Sequence, residues 1–320
     1  MRLGTSYMGH HNPRHIRADI EEMVRLGLQD VLVAAQENDF VWFPGKLRFT
    51  AEIARDHGLR PVAIFWGALN LFGGGRMSQF LLEHPEGFQV ARDGAHRPAG
   101  CYVNPVCVAR IKEMIGVVAG LGYQAYFVDE PTPLRDCFCR ACRARYDAWY
   151  AGDLVAAPTE RQEEFRRRCC VEYVREIASW CKKNHPAVET QCCVMPHDDA
   201  LWEKMAALPD LDNLGTDLYW VNNDRDPETM RPIVRGLDAL CRRHGKRHHQ
   251  WLQCWKAARG REERIRLQGR VLVEENPDAL YLWAWEGQVG TKESCENPAA
   301  AWSAACDVLR LAREQAAIRS

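Results

Sequence analysis

The sequence predicts a single (β/α)8 (TIM) barrel. Short apolar or β-branched runs alternate along the chain with longer segments of helical period. Strict alternation of this kind favours a parallel sheet, and eight strand–helix pairs within 320 residues favour closure into a barrel. No internal repeat or linker divides the chain, so we expect one domain over residues 1–320. A doubly wound open sheet is the alternative, which the lack of a glycine-rich phosphate loop after the first strand disfavours.

Each unit of the predicted barrel can be assigned in chain order. The predicted strands are Arg2–Tyr7, Asp30–Ala35, Arg60–Trp66, Ala125–Asp129, Glu189–Met195, Asn213–Tyr219, His249–Trp255 and Asp278–Trp285. The predicted helices are Ile16–Leu26, Leu47–His57, Cys107–Leu121, Glu163–Asn184, Asp199–Leu208, Glu228–His244, Glu262–Glu275 and Ala299–Ala316. Glycine or proline at the turns between them ends helices and starts strands. Long loops are expected after strand three (67–105) and strand four (131–159).

Composition narrows the class of partner. Hydrophobic residues make up 47% of the chain, charged residues 27%, and the formal net charge is −1. This balance gives no reason to expect a nucleic acid or a membrane surface as partner, and we interpret the basic run 242–249 as a helix end and turn. No apolar stretch approaches the ~20 residues of a membrane span. The N-terminus has no signal-peptide pattern, and the 14 cysteines are expected as reduced thiols in a cytoplasmic protein.

The active site of a barrel lies where its strands end, so the residues at those ends are the candidates for binding and catalysis. They are His10, His11, Gln36, Asn38, Trp66, Asp129, Glu130, Asp217, Tyr219, Trp220, Gln253, Trp255, Trp283, Trp285 and Glu286. Aromatic faces stack on the C–H faces of sugars while polar groups bind hydroxyls, so this set indicates a carbohydrate substrate. The two histidines could equally be packing residues. A catalytic metal on His10, His197 and Asp217 is disfavoured because the chain has no typical histidine spacing for one.

Asp129 and Glu130 form the strongest catalytic signal, in the segment YFVDEP. Two adjacent carboxylates at the end of a buried strand repel each other, which raises one pKa towards the range of a general acid. The alternative is a loop carboxylate paired with an arginine such as Arg135. Charge at the end of a buried strand is costly without a function, so the functional interpretation is favoured.

Four cysteines predict a metal site. Cys137, Cys139 and Cys142 lie in one short loop, and Cys101 completes a set of four thiolates suited to tetrahedral zinc. A closed four-thiolate site leaves no position for substrate, so the zinc would be structural and would hold the loop after Glu130. Ordinary buried thiols are the alternative. The other cysteines, such as Cys192 and Cys193, are expected in the core.

These motifs resemble glycoside hydrolase family 42, the β-galactosidases with a four-cysteine zinc, over about the first half of the chain. The resemblance implies Cys101, Cys137, Cys139 and Cys142 as zinc ligands and Glu130 as the acid/base. The chain departs from the family at two places. Asp129 stands where the family has asparagine, and WLQCWKA at strand seven lacks the carboxylate that serves there as nucleophile.

The Asp129–Glu130 pair is also similar to hexosaminidase families 20 and 123, whose substrate's own 2-acetamido group attacks the anomeric carbon. That resemblance implies an exo-acting β-N-acetylhexosaminidase, β-N-acetylgalactosaminidase-like, in which Asp129 orients the acetamido group and Glu130 is the acid/base. Tyr219 would bind the acetamido oxygen. The side chains expected to enclose its methyl group are Trp255, Trp283 and Trp285.

Two alternatives remain open. One is a β-galactosidase-like hydrolase that uses Glu130 with Glu286 or Asp217, the latter as an inverting base at ~6.5–9.5 Å. Glu286 could instead bind a hydroxyl or pair with Lys256. The other is a non-catalytic sugar-binding barrel. The sequence does not distinguish gluco from galacto substrates. A homo-oligomer, in which a neighbouring subunit closes the cleft, is a further option.

Overall fold

The computed structural model describes residues 1–74, 77–132, 136–196 and 198–319. Eight parallel strands close into a barrel, each hydrogen-bonded to the next, and the last pairs with the first. The strands, numbered one to eight, are Arg2–Tyr7, Asp30–Ala34, Arg60–Ile64, Ala125–Asp129, Glu189–Val194, Asn213–Asp217, Arg247–Gln253 and Ala279–Trp283. The predicted (β/α)8 barrel is therefore confirmed, with every predicted strand within a few residues of its place.

Eleven α-helices are present in the described residues: α1 Pro13–Arg25, α2 Glu37–Val41, α3 Pro44–Asp56, α4 Gln79–Glu83, α5 Pro105–Gly120, α6 Arg140–Tyr150, α7 Thr159–Asn184, α8 Asp199–Ala206, α9 Met230–Arg243, α10 Glu262–Glu275 and α11 Pro298–Arg319. The local sequence explains several starts. Asn12 and Asn104 cap α1 and α5, each accepting a backbone hydrogen bond and followed by a proline. None of the helices in the described ranges is long and apolar enough to cross a membrane.

Apolar side chains fill two layers. Inside the barrel, residues from alternate positions of the strands pack together, among them Leu32, Ile64, Phe127, Trp251 and Tyr281. Outside it, the other faces of the strands pack against the helices in a larger core. The interior is therefore a packed core and not a channel, as is usual for this fold.

Ion pairs close the amino-terminal end of the barrel. Asp30 is fully buried and accepts hydrogen bonds from Arg2 (2.5 Å), Arg60 (2.7 Å) and the hydroxyl of Tyr281 (3.1 Å). Glu189 pairs with Arg60 and, at 2.6 Å, with Arg247. Paired charges therefore occupy this end, and in this fold the active site lies at the other end, where the strands finish.

The two long loops carry structure that the sequence did not predict. The loop after strand three contains α4 and a two-stranded hairpin, in which Phe88–Val90 pairs with His96–Gly100. The loop after strand four contains α6. Both loops lie at the carboxyl ends of their strands, so they help to shape the candidate site.

Candidate active site

Strand four ends at two adjacent carboxyl groups held by backbone contacts. The carbonyl of Asp129 accepts a hydrogen bond from the amide of Gly73 (3.2 Å), and the amide of Glu130 donates to the carbonyl of Cys193 on strand five (3.1 Å). Glu130 has a φ of +45°, a left-handed conformation that is uncommon for a residue with a side chain. Such strained residues cluster at functional sites, where the surrounding structure maintains them.

A third carboxyl group, Asp217 at the end of strand six, lies against this pair. It is 6% exposed, its carboxyl group interacts electrostatically with that of Glu130, and its Oδ1 has no hydrogen-bond partner among the described residues. Burial, and then the charge of Glu130, raise the pKa of Asp217 well above its usual value. The same two causes raise the pKa of Asp129. Asp129 and Asp217 therefore retain their protons to a higher pH than isolated aspartic acids would.

The role of Asp217 as an inverting base, which needs a separation of about 6.5–9.5 Å from Glu130, stays a prediction from the sequence.

The Asp129–Glu130 pair opens into a cleft of about 290 Å³. Its other lining residues are Trp66, Gly73, Gly74, Tyr219, Trp255, Lys256, Trp283, Lys292 and Glu293. The aromatic rings contact one another, with Trp66 and Trp283 5.9 Å apart and Tyr219 edge-on to Trp255 at 5.6 Å. The cleft thus combines aromatic walls with carboxyl groups, as the sequence predicted for a sugar site.

The space beside Asp129 and Glu130 is called the first hollow below. Two glycines in the loop after strand three form one of its walls. A Cβ atom on Gly73 would lie 2.5 Å from Asp129 Oδ2 and 3.2 Å from Glu130 Oε2. A Cβ atom on Gly74 would lie 2.5 Å from the indole of Trp66. Only a residue without a side chain lets the backbone approach the carboxyl groups and the tryptophan this closely. The role of these glycines is not visible in the sequence, because their contacts depend on how the loop folds.

A charged triad in the cleft was also missed. Lys256, just after strand seven, and Lys292, in the loop after strand eight, contact Glu293 at 2.6 and 3.5 Å. The backbone amide of Lys256 donates to the carbonyl of Glu293 (3.0 Å), so the loop after strand eight lies over the end of strand seven. Sequence periodicity cannot show that a loop residue lies at the end of a different strand. The segment TKES contains no motif that would identify Glu293 as a site residue.

Three of the predicted binding residues, Gln36, Asn38 and Trp66, line a second hollow of about 360 Å³. Gln36 and Asn38 line it with Glu37, Gly67 and Met77. Trp66 and Lys292 line both this hollow and the first one, so the two are neighbouring parts of one cleft.

Other predicted residues lie away from the first hollow. Gln253 is buried and bonds to the loops, accepting from the amide of Val221 (3.0 Å) and donating to the carbonyl of Trp255 (3.1 Å). Trp220 has the guanidinium of Arg225 over its ring at 4.9 Å. Neither residue lines the first or the second hollow.

Glu286, Trp285 and His10 line a separate third hollow between strands one and eight. Burial, followed by the charge of Asp19, raises the pKa of Glu286 and the charge of His10 opposes this. Trp285 packs edge-on against Trp302 of α11, with ring centroids 4.8 Å apart. Glu286 therefore does not share a hollow with Glu130, and it is Glu293 that pairs with Lys256.

The other residues predicted at the strand ends are two exposed histidines and two residues outside the described ranges. His11 packs against Phe43, with ring centroids 4.2 Å apart. His10 lies 3.4 Å from the carboxylate of Asp19. His197 and Arg135, which the sequence offered as a metal ligand and as an ion-pair partner, lie outside the described residues.

The four predicted metal-ligating cysteines come together. The Sγ atoms of Cys101, Cys137, Cys139 and Cys142 all lie within 4.8 Å of one another, and all four residues are buried and free of disulfide bonds. The Sγ of Cys101 lies 3.4 Å from that of Cys142 and 3.6 Å from that of Cys139. Tetrahedral zinc with bonds of about 2.3 Å would hold sulfur atoms about 3.8 Å apart. The cluster fits a metal ion of that kind.

No protein-family model matches the chain, and no curated protein matches its sequence. Solved structures share its fold. The β-galactosidase of the Antarctic haloarchaeon Halorubrum lacusprofundi has a TM-score of 0.78 at 16% identity, over 98% of this chain and 58% of that one. The β-galactosidase of the psychrophilic Marinomonas ef1 has a TM-score of 0.71 at 13% identity, over 99% and 60%.

A third similar structure is the endo-1,4-β-mannanase of Rhizomucor miehei, with a TM-score of 0.63 at 11% identity, over 97% of this chain and 95% of that one. These proteins are glycoside hydrolases by name, and they share the TIM barrel with this chain. The chain spans less than two thirds of the length of the two β-galactosidases. At such identities the likeness concerns the fold, and the activity must be argued from the site.

Proposed function

We propose that this protein is a glycoside hydrolase in which Glu130 is the general acid. The observation that carries the proposal is Glu130 itself, which has a left-handed backbone at the end of strand four and lies beside Asp129 in a tryptophan-lined cleft. A carboxyl group that faces such a cleft is placed to donate a proton to a leaving-group oxygen. The glycoside hydrolases of the same fold support the same reaction class.

For the substrate, we propose a β-linked 2-acetamido sugar and substrate-assisted retention, with Asp129 orienting the acetamido group. Two features favour this mechanism over a protein nucleophile. The end of strand seven carries Gln253 and no carboxylate, and Glu286 lines a different hollow. In the substrate-assisted route the acetamido oxygen attacks the anomeric carbon while Glu130 protonates the leaving oxygen. Water then opens the oxazolinium ion and Glu130 recovers the proton.

One observation favours a second candidate. Glu293 is a carboxylate in the wall of the same first hollow as Glu130, beside Lys256. In a β-galactosidase-like hydrolase, Glu293 could serve as the second carboxylate that strand seven lacks. A third candidate, a non-catalytic sugar-binding barrel, would use the aromatic cleft without Glu130 as an acid.

An assay on the nitrophenyl β-glycosides of N-acetylgalactosamine, N-acetylglucosamine and galactose separates the candidates. We expect turnover of an acetamido sugar, and a loss of about 10²–10⁴-fold in kcat/KM in Glu130→Gln because the proton donor is removed. Glu286→Gln is the matched control, and it should change kcat/KM by less than about threefold because Glu286 lies in another hollow.

Turnover of the plain galactoside, abolished by Glu293→Gln, would replace substrate assistance with a protein nucleophile. Unchanged turnover in Glu130→Gln would contradict the central assignment. Sugar binding without turnover of any of the three substrates would favour the non-catalytic barrel.

We also propose that zinc occupies the four-cysteine cluster. The buried thiolates suit zinc, which would fasten the loop after strand four without offering an open position to substrate. Location in the cytoplasm, a single domain and homo-oligomerisation remain predictions from the sequence.

A further inference from the structure

The candidate cleft continues beyond the first hollow. The second hollow, lined by Gln36, Asn38 and Met77, shares Trp66 and Lys292 with it. Ligand pockets are roughly 300–1,000 Å³ for molecules of drug size. Hollows of about 290 and 360 Å³ are each near the lower limit, so each suits about one sugar ring.

Trp66 is a fixed wall between the hollows. It is 5% exposed, the backbone of Gly74 lies against its indole, and Trp283 packs on it with ring centroids 5.9 Å apart. An indole held from several sides can present its surface to both hollows without losing further conformational freedom when a ligand binds.

The polar groups of the second hollow suit sugar hydroxyls. Side-chain amides both donate and accept hydrogen bonds, and a hydroxyl does the same, so Gln36 and Asn38 match a ring with neighbouring hydroxyls. Lys292 adds an ammonium donor, and Met77, which is 83% exposed, gives an apolar rim.

Glu37, the acidic residue of this hollow, forms hydrogen bonds within the protein. Its Oε1 accepts from the amide of Leu69 (2.6 Å), and its Oε2 accepts from the hydroxyl of Ser78 (3.0 Å). These bonds fasten the loop after strand three to α2. They preserve the shape of the second hollow, where Asn38 and Gln36 are the neighbouring amides. The Nε2 of Gln36 also contacts Sδ of Met8 at 3.9 Å, which holds its side chain in place.

We propose that the cleft binds two adjacent units of an oligosaccharide, one in each hollow. The ring whose glycosidic bond is broken occupies the first hollow beside Glu130, and its neighbour occupies the second hollow against Gln36, Asn38 and Lys292. This inference rests on the proposed function and adds the substrate class, a chain of at least two sugars. A simple glycoside with a small leaving group would fill only half of the cleft.

Calorimetric titration of Glu130→Gln protein tests the inference without requiring turnover. The probes are N-acetylglucosamine, N-acetylgalactosamine and the β-linked disaccharides of each. We expect a disaccharide to bind at least about tenfold more tightly than its monosaccharide, because only the disaccharide reaches the second hollow. Adding Asn38→Ala should weaken the disaccharide about five- to tenfold and change the monosaccharide less than about twofold.

A second variant and a control make the result decisive. Asn38→Trp fills the second hollow, and it should reduce disaccharide affinity to that of the monosaccharide. Gln124→Ala removes an exposed amide just before strand four, at the opposite end of the barrel, and should change neither affinity. Equal affinity for both sugars, or an equal effect of the Asn38 variants on both, overturns the two-unit cleft and leaves the role of Glu130 intact. Binding of neither sugar to folded protein contradicts the proposed function as well.

Discussion

Three carboxyl groups, Asp129, Glu130 and Asp217, meet on two strands of the barrel, and their proximity has a cost. Desolvation opposes the ionised forms of Asp129 and Asp217, and the charge of Glu130 opposes them further. No cation is among the main groups that shift the pKa of Asp129 or Asp217, so none of these groups offsets the repulsion. Proteins accept such local destabilisation at sites where chemistry requires it.

The replacement Asp217→Asn tests this cost. Burial and Glu130 raise the pKa of Asp217 above its value of about 3.9 in the unfolded chain. The folded state therefore holds the proton to higher pH, so this group's contribution to stability is complete below about pH 4 and is lost as the pH rises through the folded-state pKa. Asparagine does not titrate. We expect Asp217→Asn to raise the free energy of unfolding relative to the wild type, and to do so more at pH 8 than at pH 5.

Urea denaturation at the two pH values measures this difference, since the unfolding free energy extrapolates linearly in denaturant. Asp224→Asn, at an exposed carboxylate on the surface, is the control and should show no gain at pH 8. A variant that is less stable at both pH values by the same amount would mean that Asp217 is held ionised by its surroundings.

At the scale of elements, the strands determine the fold and the loops determine the site. Outside two helix ends, the described non-glycine residues with positive φ all follow the carboxyl ends of strands: Leu69, Asn70, Glu130, Lys256, Glu286 and Gln288. Strained backbone is thus concentrated at the end of the barrel that also carries the candidate site.

The same division explains what could be predicted. A run such as AYFVD is short, apolar and rich in strand formers, so its place in the barrel follows from local physics, and Asp129 and Glu130 follow with it. Glu293 reaches the cleft because one loop folds over another strand, a non-local contact without a period. Glu286 was a candidate partner of Glu130 because it also follows a strand, but it lines a different hollow, and its neighbour Trp285 packs on Trp302.

The loop after strand four offers the second prediction at this scale. If the four cysteines hold zinc, elemental analysis should find about one zinc per chain, and Cys137→Ser should lower that content and expose segment 131–159 to trypsin. Cys306→Ser on α11, a half-buried cysteine outside the cluster, should retain the metal and the protease resistance. A folded, metal-free wild type whose loop resists trypsin would leave these cysteines as ordinary core thiols.

For the whole molecule, the barrel separates stability from function along its axis. At the amino-terminal end, buried charges are paired: Asp30 accepts from Arg2, Arg60 and Tyr281, and Glu189 faces Arg60 and Arg247. At the carboxyl-terminal end, the carboxyl groups of Asp129, Glu130 and Asp217 lie against one another. The end of the barrel at which a residue lies therefore predicts whether its substitution affects folding or activity.

Asp30→Ala tests that separation. Removing this fully buried carboxylate leaves the guanidinium of Arg60 without its main partner, and breaking a buried ion pair in this way typically costs about 3–5 kcal/mol. We expect the free energy of unfolding to fall by about that amount, with kcat/KM of the folded fraction changed less than about twofold because Asp30 lies at the far end from the cleft. Asp224→Ala, which removes an exposed partner of Arg261, should cost at most about 1 kcal/mol.

An Asp30 variant that keeps its stability would mean that the ion pairs at this end contribute little net free energy, as when desolvation cancels attraction. A variant that stays folded but loses turnover would show that the two ends of the barrel are coupled.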